Sequence, residues 1–303
     1  MYIPDILPVR KIVEKFFLEK EVSVSVLRLD LIHPYISGNK WFKLKYNIEE
    51  FLLQKKECLV TFGGAYSNHI VATAAAGKEF GIKTIGIIRG DELNENSNPS
   101  LKFASACGMK LFFVSREEYK LMRDSGSIID RILSELPIPF PGFYLLPEGG
   151  SNSLSVKGCA EIVKLIYSDF DFIICACGTG ATLAGISTAL NENQKAIGIS
   201  VIQGEKFLQR DILNLNGNKN NFQLINEYNF GGYAKSDVPL NLFCENFSSM
   251  NGFKIEPVYT GKLFFGLYEL IKKDFFKRGS KVIAVHTGGV LLWNNNSPIT
   301  PLV

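Results

Sequence analysis

The chain has 303 residues, of which 46% are hydrophobic and 21% charged, a balance that excludes a disordered protein and leaves room for about two domains of the usual ~150 residues. Its formal net charge of +3 arises from 33 basic and 30 acidic side chains spread along the sequence, so the basic stripe of a nucleic-acid binder is missing and no nucleic-acid partner is expected. Neither a leader-like opening nor an apolar run of the ~20 residues a membrane span needs is legible, so a cytoplasmic protein with no membrane partner is expected.

From Glu57 onward short apolar or β-branched runs alternate with amphipathic stretches of helical length, as in an α/β protein. The run Cys58 to Phe62 leads through Gly63 and Gly64 into a helix predicted over Asn68 to Phe80. Further strands are predicted at Lys83 to Ile88, Leu111 to Val114, Phe143 to Leu146, Phe172 to Cys177, Ala196 to Ile202, Phe222 to Tyr228 and Lys281 to Val285. Asn214 to Asn221 reads as an exposed loop, and the character of the chain changes near Gly150 to Ser155. Strands alternating with helices imply mainly parallel sheets, whose ligands bind where strands end. Glycine turns mark four such ends: Gly63 with Gly64, Gly149 with Gly150, Gly178 with Gly180, and Gly288 with Gly289.

The six cysteines, Cys58, Cys107, Cys159, Cys175, Cys177 and Cys244, lie mostly in apolar runs and read as reduced core thiols. Cys175 and Cys177 would share a strand face, but no paired CxxC or nearby histidine accompanies them, so no metal is expected.

Gly178, Thr179, Gly180, Ala181 and Thr182 follow a predicted strand and open a helix, where small residues let backbone N–H groups reach a phosphate. A nucleotide-triphosphate loop would need Lys at 186, which is Ile, and a dinucleotide fingerprint would need Gly at 183, which is Leu. A glycine-rich packing turn is the remaining alternative for this motif alone. In Ser37-Gly38-Asn39-Lys40 the lysine precedes Lys43 by one helical turn, and a neighbouring cation with desolvation is what lowers a Schiff-base lysine's basicity. Ser67 and Asn68 stand at a strand-to-helix turn suited to a carboxylate, or simply to capping the helix.

These motifs, with Pro147-Glu148-Gly149-Gly150-Ser151-Asn152, Phe230-Gly231-Gly232-Tyr233, Pro257-Val258-Tyr259-Thr260-Gly261-Lys262 and His286-Thr287-Gly288-Gly289, occur in order between Asp30 and Gly289. The chain therefore resembles the D-cysteine desulfhydrase and 1-aminocyclopropane-1-carboxylate deaminase family of pyridoxal-phosphate enzymes. The resemblance implies the tryptophan-synthase-β-like architecture, fold type II: two open, mainly parallel α/β domains, the larger from 1–43 with 154–303 and the smaller from 44–153, with the active site in the cleft between them and a homodimeric assembly.

By the same resemblance Lys40 would hold pyridoxal 5'-phosphate, Asn68 would bond its ring hydroxyl oxygen, and Gly178, Thr179, Gly180, Ala181 and Thr182 would hold its phosphate with Lys43. Ser67, Asn68 and His69 would bind a small amino-acid substrate, and Tyr233 and Tyr259 would face it; packing is the alternative role for both tyrosines. Ring-opening members typically carry Glu after the tyrosine of the Val-Tyr motif and Leu before the last Gly-Gly. Here Thr260 and Thr287 stand there, which resembles the desulfhydrase branch. A carboxylate beside the ring nitrogen keeps it protonated and the sink strong, whereas a threonine hydroxyl donates to a neutral nitrogen and leaves a weaker sink, sufficient when Cα carries a proton.

The reaction implied is lyase chemistry on D-cysteine, with Lys40 or Ser67 removing the Cα proton and pyruvate, ammonia and sulfide as products. The alternatives are the cyclopropane-opening deaminase, a hydrolase by class, and a binding relative without turnover. The chain departs from the family pattern at Phe42, where many members have Arg, and at Leu292, where glycine is common.

Overall fold

The computed structural model describes residues 7–125, 134 and 142–289. Leu44–Asn152 makes one compact unit, and the described residues on either side of it make another. In chain order come β1 (Val9–Ile12), α1 (Lys15–Glu19), β2 (Ser23–Arg28), α2 (Asn39–Leu53), β3 (Cys58–Gly64), α3 (Asn68–Phe80), β4 (Lys83–Arg89), α4 (Pro99–Ala106), β5 (Lys110–Val114), α5 (Arg116–Ser125) and β6 (Phe143–Leu146). They are followed by α6 (Ser153–Ala160), β7 (Phe172–Cys177), α7 (Ala181–Ala189), β8 (Lys195–Ser200), α8 (Glu205–Asn216), β9 (Phe222–Ile225), α9 (Val238–Asn251), α10 (Thr260–Lys272) and β10 (Lys281–His286). The departure at Leu292 lies outside the described residues.

The flanking unit carries a six-stranded sheet in the order β1-β2-β10-β7-β8-β9, in which only β1 runs antiparallel to its neighbour. Its central strands are almost wholly apolar and buried, Phe-Ile-Ile-Cys-Ala-Cys in β7 and Lys-Val-Ile-Ala-Val-His in β10, as helix-covered parallel strands must be. At the edge, β1 exposes Val9, Arg10 and Lys11, and the charge discourages further strand addition. Aromatic side chains lock the late helices: Phe247 of α9 lies 4.5 Å from Phe264 of α10, centroid to centroid, and Tyr268 meets Phe17 edge-on at 5.1 Å. Such pairs contribute about 0.5–1.5 kcal/mol each beyond their burial. Phe42, the first departure from the family pattern, is fully buried on α2.

The unit Leu44–Asn152 has a parallel four-stranded sheet, β5-β4-β3-β6. Val60, Phe62, Ile85, Ile87, Tyr119 and Phe143 form its core. The helix α3 starts at a Ser67 cap and stops at Gly81, in the left-handed region at φ 66°, and the whole stretch His69 to Gly77 is buried. All six cysteines are free and buried. Among the described residues no helix is long and apolar enough to cross a membrane.

Candidate active site

In the six-stranded unit, the carboxyl ends of β2, β7, β9 and β10 lead to the motifs singled out by sequence, the place where parallel sheets bind ligands. After β10, Thr287 packs on the turn before α2. Gly38 there has φ 66°, and a Cβ on it would stand 1.8 Å from the Thr287 carbonyl oxygen, so only glycine fits. The next residue, Asn39, donates from its backbone to the same carbonyl at 3.4 Å and from Nδ2 to Thr182 Oγ1 at 2.7 Å, while its Oδ1 accepts from Lys40 Nζ at 2.9 Å. One amide side chain thus joins the lysine turn to the glycine-rich turn.

Behind Thr287 lies a buried network. Arg28 grips Asp30 through Nε at 2.8 Å and stacks over Phe253 at 4.2 Å. His286 donates from Nε2 to the Lys254 carbonyl at 2.8 Å and accepts from Gly288 N–H at Nδ1, 3.3 Å, which defines the neutral Nε2–H form; burial pushes its pKa down.

Lys40 and Lys43 lie three residues apart on α2, facing the turn between β7 and α7. Lys43 is buried and its Nζ donates to Thr179 Oγ1 at 3.3 Å. Lys40 keeps part of its surface open, yet desolvation, and then the charge of Lys43, push its amine down to about 7; Cys159 and Glu256 partly offset this. Burial pushes Lys43 down as well, and pushes the Cys159 thiol up to about 11, so that thiol stays neutral. Gly180, at φ 83°, caps α7, whose first residues, Ala181 to Ser187, are buried. The donor set of Thr179, Lys43 and the α7 amino end suits a phosphate, whose negative charge offsets the cost of two desolvated ammonium groups. These residues therefore fit the phosphate and the reactive lysine of a pyridoxal-phosphate site.

Tyr233 and Tyr259 meet edge to face with centroids 5.9 Å apart, and a Cβ on Gly178 would be 3.4 Å from the Tyr259 ring. The tyrosines are thus brought to the same turn as the lysines. The Thr260 hydroxyl accepts from Glu256 N–H at 2.9 Å and lies within donating distance of Glu256 Oε1 at 3.1 Å, a partner the sequence reading did not include. Glu256 in turn accepts from the backbones of Val258 at 2.6 Å, Tyr259 at 3.0 Å and Thr260 at 2.8 Å. Burial drives its pKa up to about 7 against these bonds. Lys262 is fully buried and donates to the Asn229 and Gly232 carbonyls at 2.8 and 2.6 Å. Sequence reasoning missed Glu256, Lys262 and the bridging role of Asn39; the one available signal was a carboxylate just before Pro257 at a helix start.

Ser67, Asn68 and His69 belong to the other unit. Ser67 Oγ accepts from the His69 and Ile70 backbones at 3.3 and 3.4 Å, the capping role. His69 is buried; its Nε2 lies 2.8 Å from Thr61 Oγ1, whose own proton goes to the Leu146 carbonyl at 2.9 Å. The ring therefore donates from Nε2 and braces β3 inside the unit, where sequence had expected a substrate contact. The Pro147 to Asn152 turn is tied to α2, since Asn152 Nδ2 and Tyr144 OH both donate to Asn47 Oδ1, at 2.7 and 2.8 Å.

Comparison with known proteins shows the family. Residues 12–288 match the family model described as pyridoxal-phosphate dependent enzyme, and the chain belongs to that family. It is an enzyme that uses pyridoxal phosphate. Over 289 residues it is 30% identical to the bifunctional D-cysteine desulfhydrase/1-aminocyclopropane-1-carboxylate deaminase of Arabidopsis thaliana mitochondria, covering 88% of this chain and 72% of that one. A Thermotoga maritima protein provisionally named a 1-aminocyclopropane-1-carboxylate deaminase is also 30% identical, with 88% and 89% covered. Among solved structures, a 1-aminocyclopropane-1-carboxylate deaminase homologue superposes with a TM-score of 0.79 at 28% identity, covering 96% of this chain and 92% of that chain. The fold is that of two mainly parallel α/β units of the fold type II class.

Proposed function

We propose that the chain catalyses β-elimination on a small amino acid with a leaving group at Cβ, D-cysteine first among them, yielding pyruvate, ammonia and sulfide. The observation that carries this reading is Lys40: an amine lowered to about 7, beside the buried Lys43 and the turn that fits a phosphate. Pyridoxal phosphate, when bound there, supplies the electron sink that makes the Cα proton acidic. Lys43, Thr179 and the α7 amino end hold its phosphate, with Gly178, Gly180, Ala181 and Thr182 shaping the turn.

With that cofactor bound, Lys40 would be the base that accepts the Cα proton. The Cβ–S bond then breaks with its electron pair on sulfur, and water replaces the amine. Ser67 and Asn68, at the amino end of α3, take the substrate carboxylate, and Tyr233 and Tyr259 face the leaving group. The absence of a carboxylate at 260 and 287 supports the sulfur branch over ring opening.

The relatives' names span both branches, so the test runs both. Cofactor-loaded protein is given D-cysteine, L-cysteine or 1-aminocyclopropane-1-carboxylate, with pyruvate and sulfide followed for the cysteines and the four-carbon 2-oxo acid and ammonia for the cyclopropane. Pyruvate with equal sulfide from D-cysteine supports elimination; product from the cyclopropane alone overturns the branch assignment, and no product from any of the three overturns the reaction.

A further inference from the structure

The turn that carries Tyr233 has an unusual backbone. Phe230, Gly231, Gly232 and Ala234 all have positive φ, at 52°, 85°, 113° and 55°. Two of these are not glycine, and each left-handed non-glycine residue costs energy that the surroundings must repay. Within the turn, Asn229 does part of this: its Nδ2 donates to the Asn226 carbonyl at 2.8 Å and its Oδ1 accepts from Gly231 N–H at 2.9 Å. The Gly232 N–H returns to the Asn229 carbonyl at 3.0 Å. The Asn229 and Gly232 carbonyls both also receive the Nζ of Lys262, which comes from α10, thirty residues further along the chain.

Lys262 is set in place by the same helix start that presents Tyr259. Its helix is fixed by the Glu256 carboxylate on the Val258, Tyr259 and Thr260 N–H groups, and by the packing of Phe264 on Phe247. A buried ammonium is costly, and an apolar side chain of similar length would fill the space more cheaply. What the ammonium adds is direction: it ties the two carbonyls on the Asn229–Gly232 turn to the first turn of α10, and so ties Tyr233 to Tyr259 at 5.9 Å.

We propose that Lys262 is a positioning residue that holds the left-handed Phe230–Ala234 turn closed and thereby fixes Tyr233 against Tyr259 for the substrate. The consequence for turnover rests on the elimination reading above; the consequence for the turn does not.

The test uses the cofactor-loaded enzyme and its Lys262→Met variant, with Lys262→Gln, which keeps a donor, as the second variant should the first fail to fold. Amide hydrogen exchange of the peptide covering 229–235 is expected to quicken by about tenfold or more in Lys262→Met and by less in Lys262→Gln, with β7 and β10 unchanged. Unchanged exchange in the turn, or acceleration spread evenly over β7 and β10, overturns the proposal whatever the substrate proves to be.

Turnover adds a double-mutant cycle with Tyr233→Phe. If Lys262 acts through Tyr233, Lys262→Met lowers pyruvate formation in the native background by roughly tenfold or more, and by less than about twofold when Tyr233 is already Phe. Equal losses in both backgrounds overturn the positioning role. A Tyr233→Phe variant with native activity counts against the tyrosine's assignment in the elimination reading, and the exchange experiment still decides the role of Lys262 in the turn.

Discussion

The two sheets end in similar glycine turns, but what lies buried beside those turns differs. In the six-stranded unit Lys43, Glu256, Lys262 and His286 are all buried, and Lys40 is desolvated beside them. Among the described residues of Leu44–Asn152, the buried polar side chains are Asn47, Thr61, His69, Thr73, Thr84, Asn98 and Ser100, with no lysine, arginine, aspartate or glutamate. Buried charge costs several kcal/mol per group unless it is paired, so it accumulates where a reaction needs shifted basicity. On the proposed function, neutral caps and amides suffice in the other unit, whose task is to present N–H groups to a substrate.

The comparison breaks first at Lys40. Its replacement by Ala is expected to lower pyruvate formation more than about 10³-fold and to remove the absorbance of lysine-linked cofactor. A variant with the full absorbance signal would refute the assignment. In the native protein an amine at about 7 is neutral above that pH, so the rate of cofactor uptake should climb with pH up to about 7 and level off beyond it.

Next in size is Gly38→Ala. The new Cβ meets the Thr287 carbonyl at 1.8 Å in a backbone region that L-residues avoid, so a loss of about 3 kcal/mol or more in urea unfolding is expected. A loss under about 1 kcal/mol would show that the lysine turn and Thr287 are not held as tightly as their geometry states.

Glu256 tests the cost of charge directly. Its folded pKa, about 7, lies above the ordinary 4.5, so between those values the folded state binds more protons and its stability falls as pH rises. Lys40 has the opposite displacement, about 7 below 10.5, and contributes a stability that rises with pH only between those two values, above the Glu256 window. Urea titrations of cofactor-free protein from pH 5 to pH 7 should show a decline on the order of 2 kcal/mol from this carboxylate, which Glu256→Gln removes. An identical pH profile in the variant would count against the buried carboxylate.

The smallest effect is expected in the neutral unit. Ser67→Ala loses the cap of α3 for about 1 kcal/mol of stability and, on the carboxylate reading, raises KM for the amino acid more than it lowers kcat. A variant with native KM would confine Ser67 to capping and sharpen the contrast between the units.

Much of the fold was legible because it rests on local pattern. The strands at Phe172–Cys177 and Phe143–Leu146 and the helix at Asn68–Phe80 coincide with the runs and caps that predicted them. Elsewhere the pattern overran: the run predicted to Tyr228 stops pairing at Ile225, where Asn226 begins the turn that leads to Asn229. The strand β2 was not read, although Ser23, Val24, Ser25 and Val26 alternate, because its place beside β10 is a pairing across more than 250 residues. For the site, the glycine turns and Lys40 were legible as motifs, whereas Lys262 reads in isolation as a solvated charge.

The sequence by itself determined the α/β class, the turns at strand ends and the residue types of a pyridoxal-phosphate site, since periodicity, glycine placement and motif order need no partner. Only the tertiary structure decided which charges are buried. It gave Thr260 a partner in Glu256, and set Lys262 beneath the tyrosine turn. Burial and hydrogen bonding are properties of groups brought together from distant parts of the chain, and a desolvated charge acquires its pKa and its role only once those groups surround it.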